Sequence, residues 1–477
     1  MHQDFSYGKE STTSTREPRT QRHPSPIGRR GNISGGGIAQ NDSKTFHRVD
    51  VASAVSILGR LFNGSPQRIG FRLWDGTEFF CGKGSMADYT LVIRNPRIIA
   101  DTILSNNPLR LADAYFRGSL DIEGDFYQAL NIRHYMPTVH LTLLEKCHFV
   151  VKALGLKLLT TASGQPLSSL WRKRWSQLLG RKTGRDLNKE AISFHYDVSN
   201  AFYKLWLDRR MVYSCAYYTN SNDSLEQAQY NKLDHICRKL RLQPGEKLLD
   251  IGCGWGALIC HAAEQYGVVA DGITLSQQQF DHVQQLIKQR DLQGRVSVRL
   301  LDYRDLPGES NYDKIVSVGM FEHVGLKNLP TYFAVANGQL KAGGLFLNHG
   351  ITSKEGGWKK DLSTTFINRY VFPDGQLECV SAVQQVMEDA EFEILDVECL
   401  RIHYALTLRE WVKRLEQHHR QALQYVSEST YRVWRLYMAA CAQQFEEGTT
   451  GLYQILIAKR QSYVWPVPLT RQDLYRD

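Results

Sequence analysis

Side chains able to act as a nucleophile, an acid or a base occur in four separate stretches of the sequence. Cys215 lies among three tyrosines in MVYSCAYY, Glu322 lies in MFEHVG, His349 in NHGIT and Tyr404 in IHYALT. Such groups serve covalent or proton-transfer catalysis. Each also has a structural interpretation, because a lone cysteine is often a small buried hydrophobe and a lone histidine can belong to the core. The residue types alone therefore leave the chemistry open.

The most glycine-rich loop, in LLDIGCGWGALICHAAEQYG, places Asp250 at a strand end and three glycines at 252–256 before a helix. Glycines let a backbone approach a ligand closely, and a helix N-terminus offers free N–H groups. A dinucleotide oxidoreductase would show GxGxxG and an acidic residue ending the next strand, where this chain has Thr274 and Gln279. The loop therefore favours a ligand with a cationic sulfonium and an amino-acid tail.

Alternating strands and helices position these groups from residue 186 onward. The predicted strands cover 247–251, 268–274, 295–302, 312–320 and 343–352, and helical stretches such as 257–266 and 276–291 separate them. This alternation predicts an α/β fold with a doubly wound, mostly parallel sheet, which binds its ligand beyond the carboxyl ends of the strands. Long helical patterns over 407–446 are suited to cover that face.

The chain before residue 139 has a different organisation. Residues 1–45 are too polar and rich in glycine and proline to bury a core, which predicts a disordered tail. Residues 46–138 predict a small α+β domain, with a helix over 51–62 and three strands, whereas AYFRGSLDIEGD (114–125) predicts a glycine-bent loop. Because no acid, base and nucleophile cluster there, we expect this domain to bind rather than to catalyse.

Residues 139–185 hold most of the excess positive charge. They contain nine Lys and Arg against Glu145 alone, whereas the whole chain has a net charge of +9. Trp171 and Trp175 lie one helical turn apart beside leucines, which predicts a basic amphipathic helix able to lie on an anionic bilayer. The alternative is an inter-domain linker that packs on its own protein and exposes its charges.

The composition indicates the cellular compartment and the type of membrane contact. The nine cysteines include no CxxC pair and no metal-ligand spacing, which predicts reduced thiols in the cytoplasm and no metal site. No stretch approaches the ~20 apolar residues of a membrane span. We therefore expect a cytoplasmic protein in peripheral contact with the membrane.

Five motifs together resemble one family. FHYDVSNAFYKLWLDRRMVYSCAYY, the glycine loop, GITLSQQQ, MFEHVG and HYALTLREW occur in the order found in cyclopropane-fatty-acyl-phospholipid synthases, which are S-adenosylmethionine-dependent methyltransferases. The resemblance covers roughly residues 190–465 and implies a Rossmann-like class I methyltransferase domain over 186–477. The preceding unit resembles the N-terminal lipid-binding domain of the full-length bacterial enzymes.

The resemblance implies that S-adenosylmethionine is bound by a set of loop residues beyond the strand ends. By matching motifs these are Tyr213, Ser214, Asp250, Gly252, Gly254, Gly256, Thr274, Leu275, Gln279, Tyr303 and Arg304. Asp271 departs from the family pattern, which usually has an apolar residue there. Its side chain is expected either to face solvent or to adjust the pocket.

The family reaction adds a methylene group across the cis double bond of a phospholipid acyl chain. The resulting carbocation loses a proton to a bound bicarbonate ion, which the resemblance assigns to Cys215, Glu322, His349, Tyr404 and the backbone of Ile351. An aromatic face suits a transient cation, and we predict that Tyr217 or Tyr218 supplies one.

Cys441 matches a family cysteine that has been treated as catalytic. No Lys, Arg or His adjoins it to lower its pKa, so we predict that it lines the acyl channel.

Three alternatives remain at this point. The same carbocation can give a methyl-branched or methylene product, and a lipid-binding homologue can keep the fold without turnover. A nucleic-acid methyltransferase is disfavoured because no NPPY-type motif occurs and the basic residues lie beside tryptophans and leucines. The expected partners are an unsaturated phospholipid and an anionic membrane surface, without nucleic acid, and a homodimer is possible.

Overall fold

The computed structural model describes residues 48–105, 107, 109–158, 199–308, 311–357, 362–371, 376–461 and 465–475. The predicted tail and the predicted helix around Trp171 and Trp175 lie outside these residues. Phe46–Asp477 form one compact unit. The domain boundaries inside it stay a prediction.

A small mixed sheet forms the N-terminal region, which we define as residues 48–135. Its elements are α1 (Arg48–Phe62), β1 (Arg68–Arg72), β2 (Glu78–Cys81), β3 (Ala87–Ile93), α2 (Arg97–Ser105), α3 (Leu109–Phe116), β4 (Leu120–Gly124), α4 (Phe126–Leu130) and α5 (Ile132–Tyr135). The strand order is β2-β1-β3-β4, and only β1 and β3 are parallel. The predicted helix and three strands are present.

The loop predicted for AYFRGSLDIEGD is wrong. Its first residues end α3 and residues 120–124 form β4, which pairs antiparallel with β3 from Ile93↔Leu120 to Tyr89↔Gly124. The two glycines that suggested a bend lie just before β4 and at its last residue. Gly118 and Gly124 have positive φ angles of 72° and 91°. Pairing with β3, which is a tertiary contact, decides the strand.

The second sheet contains the strands predicted from residue 247 onward. Helix α6 (Leu143–Leu158) precedes this part of the chain. The strands of the sheet and the helices between them are α7 (Asn200–Tyr203), α8 (Leu225–Lys239), β5 (Lys247–Ile251), α9 (Ala257–Tyr266), β6 (Val269–Thr274), α10 (Gln277–Gln289), β7 (Val296–Leu300), β8 (Tyr312–Val318), α11 (Leu329–Gln339), β9 (Leu340–Ser353), α12 (Leu362–Tyr370), α13 (Val380–Asp389), β10 (Phe392–Cys399), α14 (Arg401–Gln417), α15 (His419–Ala422), α16 (Glu428–Glu447) and β11 (Thr450–Lys459).

The strand order is β10-β11-β9-β8-β5-β6-β7. β11 is antiparallel to both its neighbours, and the remaining pairs are parallel. The connection after β5 leads to β6 on one side of it, whereas the connection after β7 crosses to β8 on its other side. This reversal of direction opens a crevice at the carboxyl end of β5. The predicted doubly wound, mostly parallel sheet is confirmed.

Helix α16 connects the N-terminal region to the second sheet. Arg432 forms an ion pair with Asp121 at 3.2 Å, and the Gln443 side chain donates to the carbonyl of Tyr127 at 2.9 Å. Tyr437, Met438 and other residues of α16 are buried. The N-terminal region is therefore held against the helices that cover the carboxyl ends of the second sheet.

Helix α6 packs on the N-terminal region through one face only. Phe149, Ala153 and Leu156 are buried, whereas Leu144 is 83% exposed and Leu158 is 86% exposed. Among the residues that the structure describes, no helix combines the length and apolar character needed to span a bilayer.

Candidate active site

The first of two adjoining cavities lies at the carboxyl end of β5. It is lined by every residue predicted to contact the cofactor except Gly256, namely Tyr213, Ser214, Asp250, Gly252, Gly254, Thr274, Leu275, Gln279, Tyr303 and Arg304. These residues come from four separate segments, 213–214, 250–254, 274–279 and 303–304, which the fold brings together at the carboxyl ends of the strands. We call this space the cofactor cavity.

The backbone conformation of the loop favours glycine at all three positions, and at two of them a Cβ atom would also collide with the protein. Gly252, Gly254 and Gly256 have φ angles of 90°, 55° and 82°, which L residues with a Cβ atom rarely adopt. A Cβ at Gly252 would lie 2.9 Å from Met320, and one at Gly256 would lie 2.9 Å from Val283. Gly256 therefore serves the packing of α9 on α10, which explains its absence from the cavity wall.

Asp250 carries a buried oxygen that a ligand could use. Its Oδ1 atom is buried without a hydrogen-bond partner in the described part of the chain, and burial raises its pKa to about 7. Lys232, which also lines the cavity, opposes that rise and donates to Ser214 Oγ at 3.1 Å. A ligand with a cationic end in this cavity would favour the ionised carboxylate.

Two acidic residues near the cofactor cavity have partners within the protein. Asp302 pairs with Arg304 at 2.6 Å, so the predicted cofactor residue Arg304 lines the cavity while it binds a carboxylate. Asp271 accepts from Tyr312 at 3.0 Å and from Ser297 at 2.5 Å and does not line the cavity. These two hydrogen bonds hold the Asp271 carboxylate outside the cofactor cavity, so its departure from the family pattern does not change the cavity lining.

The second cavity has a volume of about 650 Å³ and contains the predicted catalytic residues. Those that line it are Cys215, Glu322, His349, Ile351, Tyr404 and Cys441. Tyr213, Ser214, Gly319 and His323 line both cavities. A group bound in the first space can therefore reach a molecule in the second, which we call the substrate cavity.

Glu322 and His349 present buried polar atoms to the substrate cavity. Glu322 Oε1 accepts from the Ile351 N–H at 2.8 Å, but Oε2 has no partner in the described residues, and burial raises the pKa of this carboxyl to about 7. His349 Nε2 is likewise without a partner there, and burial lowers the pKa of its ring to about 3. The Ile351 N–H, which the resemblance assigns to an anion, is used by Glu322.

The two cysteines of the cavity are not activated nucleophiles. Cys215 is fully buried and its Sγ lies 3.1 Å from the carbonyl oxygen of Ala216, while burial raises its pKa well above the usual range. Burial also raises the pKa of Cys441 to about 12. Thiols of this kind donate weak hydrogen bonds or fill space, which agrees with the predicted lining role of Cys441.

The prediction that Tyr217 or Tyr218 faces the reacting centre is wrong. Tyr217 is stacked between His235 and His403, with ring centroids 4.2 and 4.9 Å away, and neither tyrosine lines either cavity. Tyr213, which lines both, packs against Trp206 at 5.4 Å. Tyr213, Ser214 and Cys215 line the substrate cavity, whereas Tyr217 and Tyr218, which follow within three residues, lie against His403 instead.

Comparison with known proteins places the chain in a family. The family described as Mycolic acid cyclopropane synthetase matches residues 183–455. A probable fatty acid methyltransferase of Pseudomonas putida is 41% identical over 408 residues, which are 85% of this chain and 95% of that protein. The chain belongs to the cyclopropane synthase family. It therefore has the Rossmann-like class I methyltransferase fold and uses S-adenosylmethionine.

Other members agree with this assignment. The cyclopropane-fatty-acyl-phospholipid synthase of Escherichia coli K12 is 41% identical over 268 residues, which cover 56% of this chain and 66% of that protein. A mycolic acid cyclopropane synthase solved with SAH and CTAB is 35% identical, with a TM-score of 0.54, and covers 57% of this chain and 98% of its own. The lining of the cofactor cavity suits S-adenosylmethionine, since a buried carboxylate oxygen of Asp250 and the loop glycines Gly252 and Gly254 face it.

Several residues that line or adjoin the two cavities were missed by the sequence analysis. Lys232 lines the cofactor cavity, and Gln454 donates from Nε2 to His349 Nδ1 at 3.2 Å. Arg133 and His134, from α5, line the substrate cavity. A polar residue inside an otherwise apolar strand, as Gln454 is in YQILIA, was the available signal for one of them.

Proposed function

We propose that this enzyme transfers a methylene group from S-adenosylmethionine to the cis double bond of an unsaturated phospholipid acyl chain and forms a cyclopropane ring. The observation that carries the proposal is the junction of the cofactor cavity with a 650 Å³ cavity at Tyr213 and Ser214. That volume lies within the ~300–1,000 Å³ of small-molecule sites. Bound S-adenosylmethionine supplies the methyl group.

The protein's own part in this reaction is alignment and charge stabilisation. An alkene has no proton to lose before attack, so no activated nucleophile is needed, which agrees with the un-ionised Cys215 and Cys441. Apolar side chains such as Ile367, Leu408 and Leu452 line the substrate cavity and hold an acyl chain away from water. The ring of Tyr213 offers its face to the carbocation that follows methyl transfer.

We also propose that bicarbonate binds among Cys215, Glu322, His349 and Tyr404. The donor set fits an anion, because the protonated form of Glu322 is populated near neutral pH and His349 is neutral, so each can donate a hydrogen bond. An ionised carboxylate at this position would repel the anion. Bound bicarbonate would supply the base for the proton lost from the new methyl group.

The enzyme is further proposed to work at an anionic membrane surface. Helix α6 exposes Leu143, Leu144, Val151 and Leu158, and Lys146 and Lys157 lie on the same helix. Exposed apolar side chains beside lysines are typical of helices that lie in a bilayer interface.

The test is a reaction of the purified full-length chain with S-adenosylmethionine and vesicles of unsaturated phospholipid. Mass spectrometry is expected to show a gain of one CH₂ per product chain, and NMR is expected to show cyclopropane protons. A methyl-branched product would replace the proposed ring chemistry with the alternative. No mass gain would refute methyl transfer to phospholipid.

Bicarbonate removal tests the proposed base. In buffer freed of carbon dioxide the rate should fall at least about a hundredfold, the low end of what a positioned base contributes, and added bicarbonate should restore it. Binding of S-adenosylmethionine, measured by calorimetry in the same buffer, should be unchanged. An unaltered rate without bicarbonate would remove this ion from the mechanism.

A further inference from the structure

The rim of the substrate cavity carries charges that the proposed ring chemistry does not use. Arg133 and His134 of α5 line it, together with Glu447 at the end of α16 and Lys354 after β9. Arg133 Nη2 lies 2.5 Å from Glu447 Oε1, and His134 Nε2 lies 2.9 Å from the same oxygen. Two distant parts of the chain therefore meet at the rim around one carboxylate.

The part of the rim formed by Arg133 and His134 lies outside the family's matched segment, whereas Lys354 and Glu447 lie within it. The family match begins at residue 183, and the solved mycolic acid cyclopropane synthase covers 98% of its own length but 57% of this chain. Helix α5 lies at 132–135, before the matched segment. The N-terminal region thus supplies Arg133 and His134 to a cavity whose reacting groups all come from the matched domain.

The charges of the rim have both signs. Arg133 and Lys354 are cationic, whereas Glu447 and Glu355, which also lines the cavity, are anionic. A purely anionic ligand would meet repulsion from the carboxylates, but a ligand with both a phosphate and an ammonium group would pair with each sign. Arg133 has five N–H donors, so it can bind a phosphate while one N–H still donates to Glu447.

The carboxylates of the rim also favour one type of ammonium group on the ligand. Quaternary ammonium groups are usually held by aromatic faces, whereas a primary ammonium donates hydrogen bonds to carboxylates. We propose that the rim is a headgroup subsite for a zwitterionic phospholipid with a primary amine, with phosphate on Arg133 and Lys354 and ammonium on Glu447. This inference rests on the proposed function and adds the headgroup class of the substrate.

The experiment uses the full chain and vesicles of saturated phosphatidylcholine that carry a minor fraction of one unsaturated lipid. The test lipids have identical acyl chains on phosphatidylethanolamine, phosphatidylglycerol or phosphatidylcholine. We expect the lowest KM for phosphatidylethanolamine, by about tenfold, which corresponds to one charge-assisted hydrogen bond. Equal KM values for the three lipids would overturn the inference.

Variants separate the two halves of the headgroup. Arg133→Gln should raise KM for phosphatidylethanolamine and phosphatidylglycerol alike, whereas Glu447→Gln should raise it for phosphatidylethanolamine only and so remove the preference. Arg432→Gln is the matched control, since it breaks an ion pair between α16 and the N-terminal region outside the substrate cavity. Equal effects of all three substitutions on every lipid would show a structural role and contradict the proposal.

Failure of the proposed function is distinguishable from failure of the subsite. If no vesicle lipid gains CH₂, calorimetry with monomeric short-chain phosphatidylethanolamine still measures headgroup binding by the wild type and by Arg133→Gln. Tighter binding by the wild type supports the subsite without turnover. Equal binding, with matching thermal unfolding midpoints, refutes it.

Discussion

At the scale of single residues, burial changes which protons Glu322 and His349 carry. A carboxylate beside an anion is electrostatically unfavourable, yet burial raises the pKa of Glu322 to about 7 and lowers that of His349 to about 3. Near neutral pH His349 is therefore uncharged and a substantial fraction of Glu322 keeps its proton, so both groups can donate hydrogen bonds. The sequence motifs suggest which residues hold the anion, but only their burial explains why a carboxyl group among them need not repel it.

The raised pKa of Glu322 predicts a pH-dependent stability. Between pH 4.5 and about 7 the unfolded chain has lost this proton and the folded chain keeps it, so the free energy of unfolding falls as pH rises. Glu322→Gln removes this loss and should gain up to about 3 kcal/mol relative to wild type between pH 5 and pH 8. Urea unfolding at several pH values measures it.

The matched control for this prediction is Glu388→Gln, at an exposed position of α13. Its stability difference from the wild type should not change over the same pH range. A pH-independent difference for Glu322→Gln would show that this carboxyl ionises normally in the folded state.

Gln454 is expected to set the tautomer of His349. The two residues are direct partners in the β9–β11 register, and the Gln454 amide donates to Nδ1, which leaves the ring proton on Nε2. Gln454→Leu should lower kcat about tenfold, by analogy with the partners of metal-ligating histidines. Gln454→Glu should move the proton to Nδ1.

Nitrogen NMR of the imidazole reports this tautomer directly. Affinity for S-adenosylmethionine should stay the same in both variants, because neither residue lines the cofactor cavity. An unchanged tautomer in Gln454→Glu would assign Gln454 to packing only.

At the scale of elements, the glycine loop does two separate jobs. Gly256 is the N-cap residue of α9 and lies against Val283 of α10, whereas Gly254 lines the cofactor cavity with no protein atom within 4 Å of a Cβ position. Sequence spacing treats the three glycines as one motif. Only their surroundings show which serve packing and which serve the ligand.

This division predicts opposite results for two alanine variants. Gly256→Ala should cost about 2–5 kcal/mol of unfolding free energy, from the left-handed backbone and the clash with Val283. Gly254→Ala should cost only the backbone term, about 1–2 kcal/mol, but weaken S-adenosylmethionine binding at least about tenfold. Denaturant titration and calorimetry decide, and the reverse order of effects would contradict the assignment.

At the scale of the whole molecule, the exposed apolar face of α6 is the surface that we propose to contact a membrane. Leu144→Glu should weaken binding to anionic vesicles about tenfold, since a leucine side chain contributes about 1.5–3 kcal/mol when buried. Leu469→Glu is the control, because Leu469 is 95% exposed but far from α6 in sequence. Vesicle flotation measures both, and equal losses would remove α6 as the contact surface.

The sequence by itself determined the strand pattern from residue 247, the glycine loop and the motifs of the site. These are local signals, because apolar periodicity and glycine spacing act over a few residues. The β4 strand was missed since its partner β3 lies outside its own segment.

Only the tertiary structure decided which side chains share a cavity. The sequence analysis chose Tyr217 or Tyr218 as the aromatic face, but Tyr213 is the tyrosine of this stretch that lines the cavities. The sequence does not show which of these neighbouring side chains is covered by other parts of the protein. Arg133 and Glu447 lie 314 residues apart, and no local pattern predicts that they form one ion pair at the rim of the substrate cavity. Burial and long-range proximity are properties of the packed chain, and they set both the protonation of the site and its outer wall.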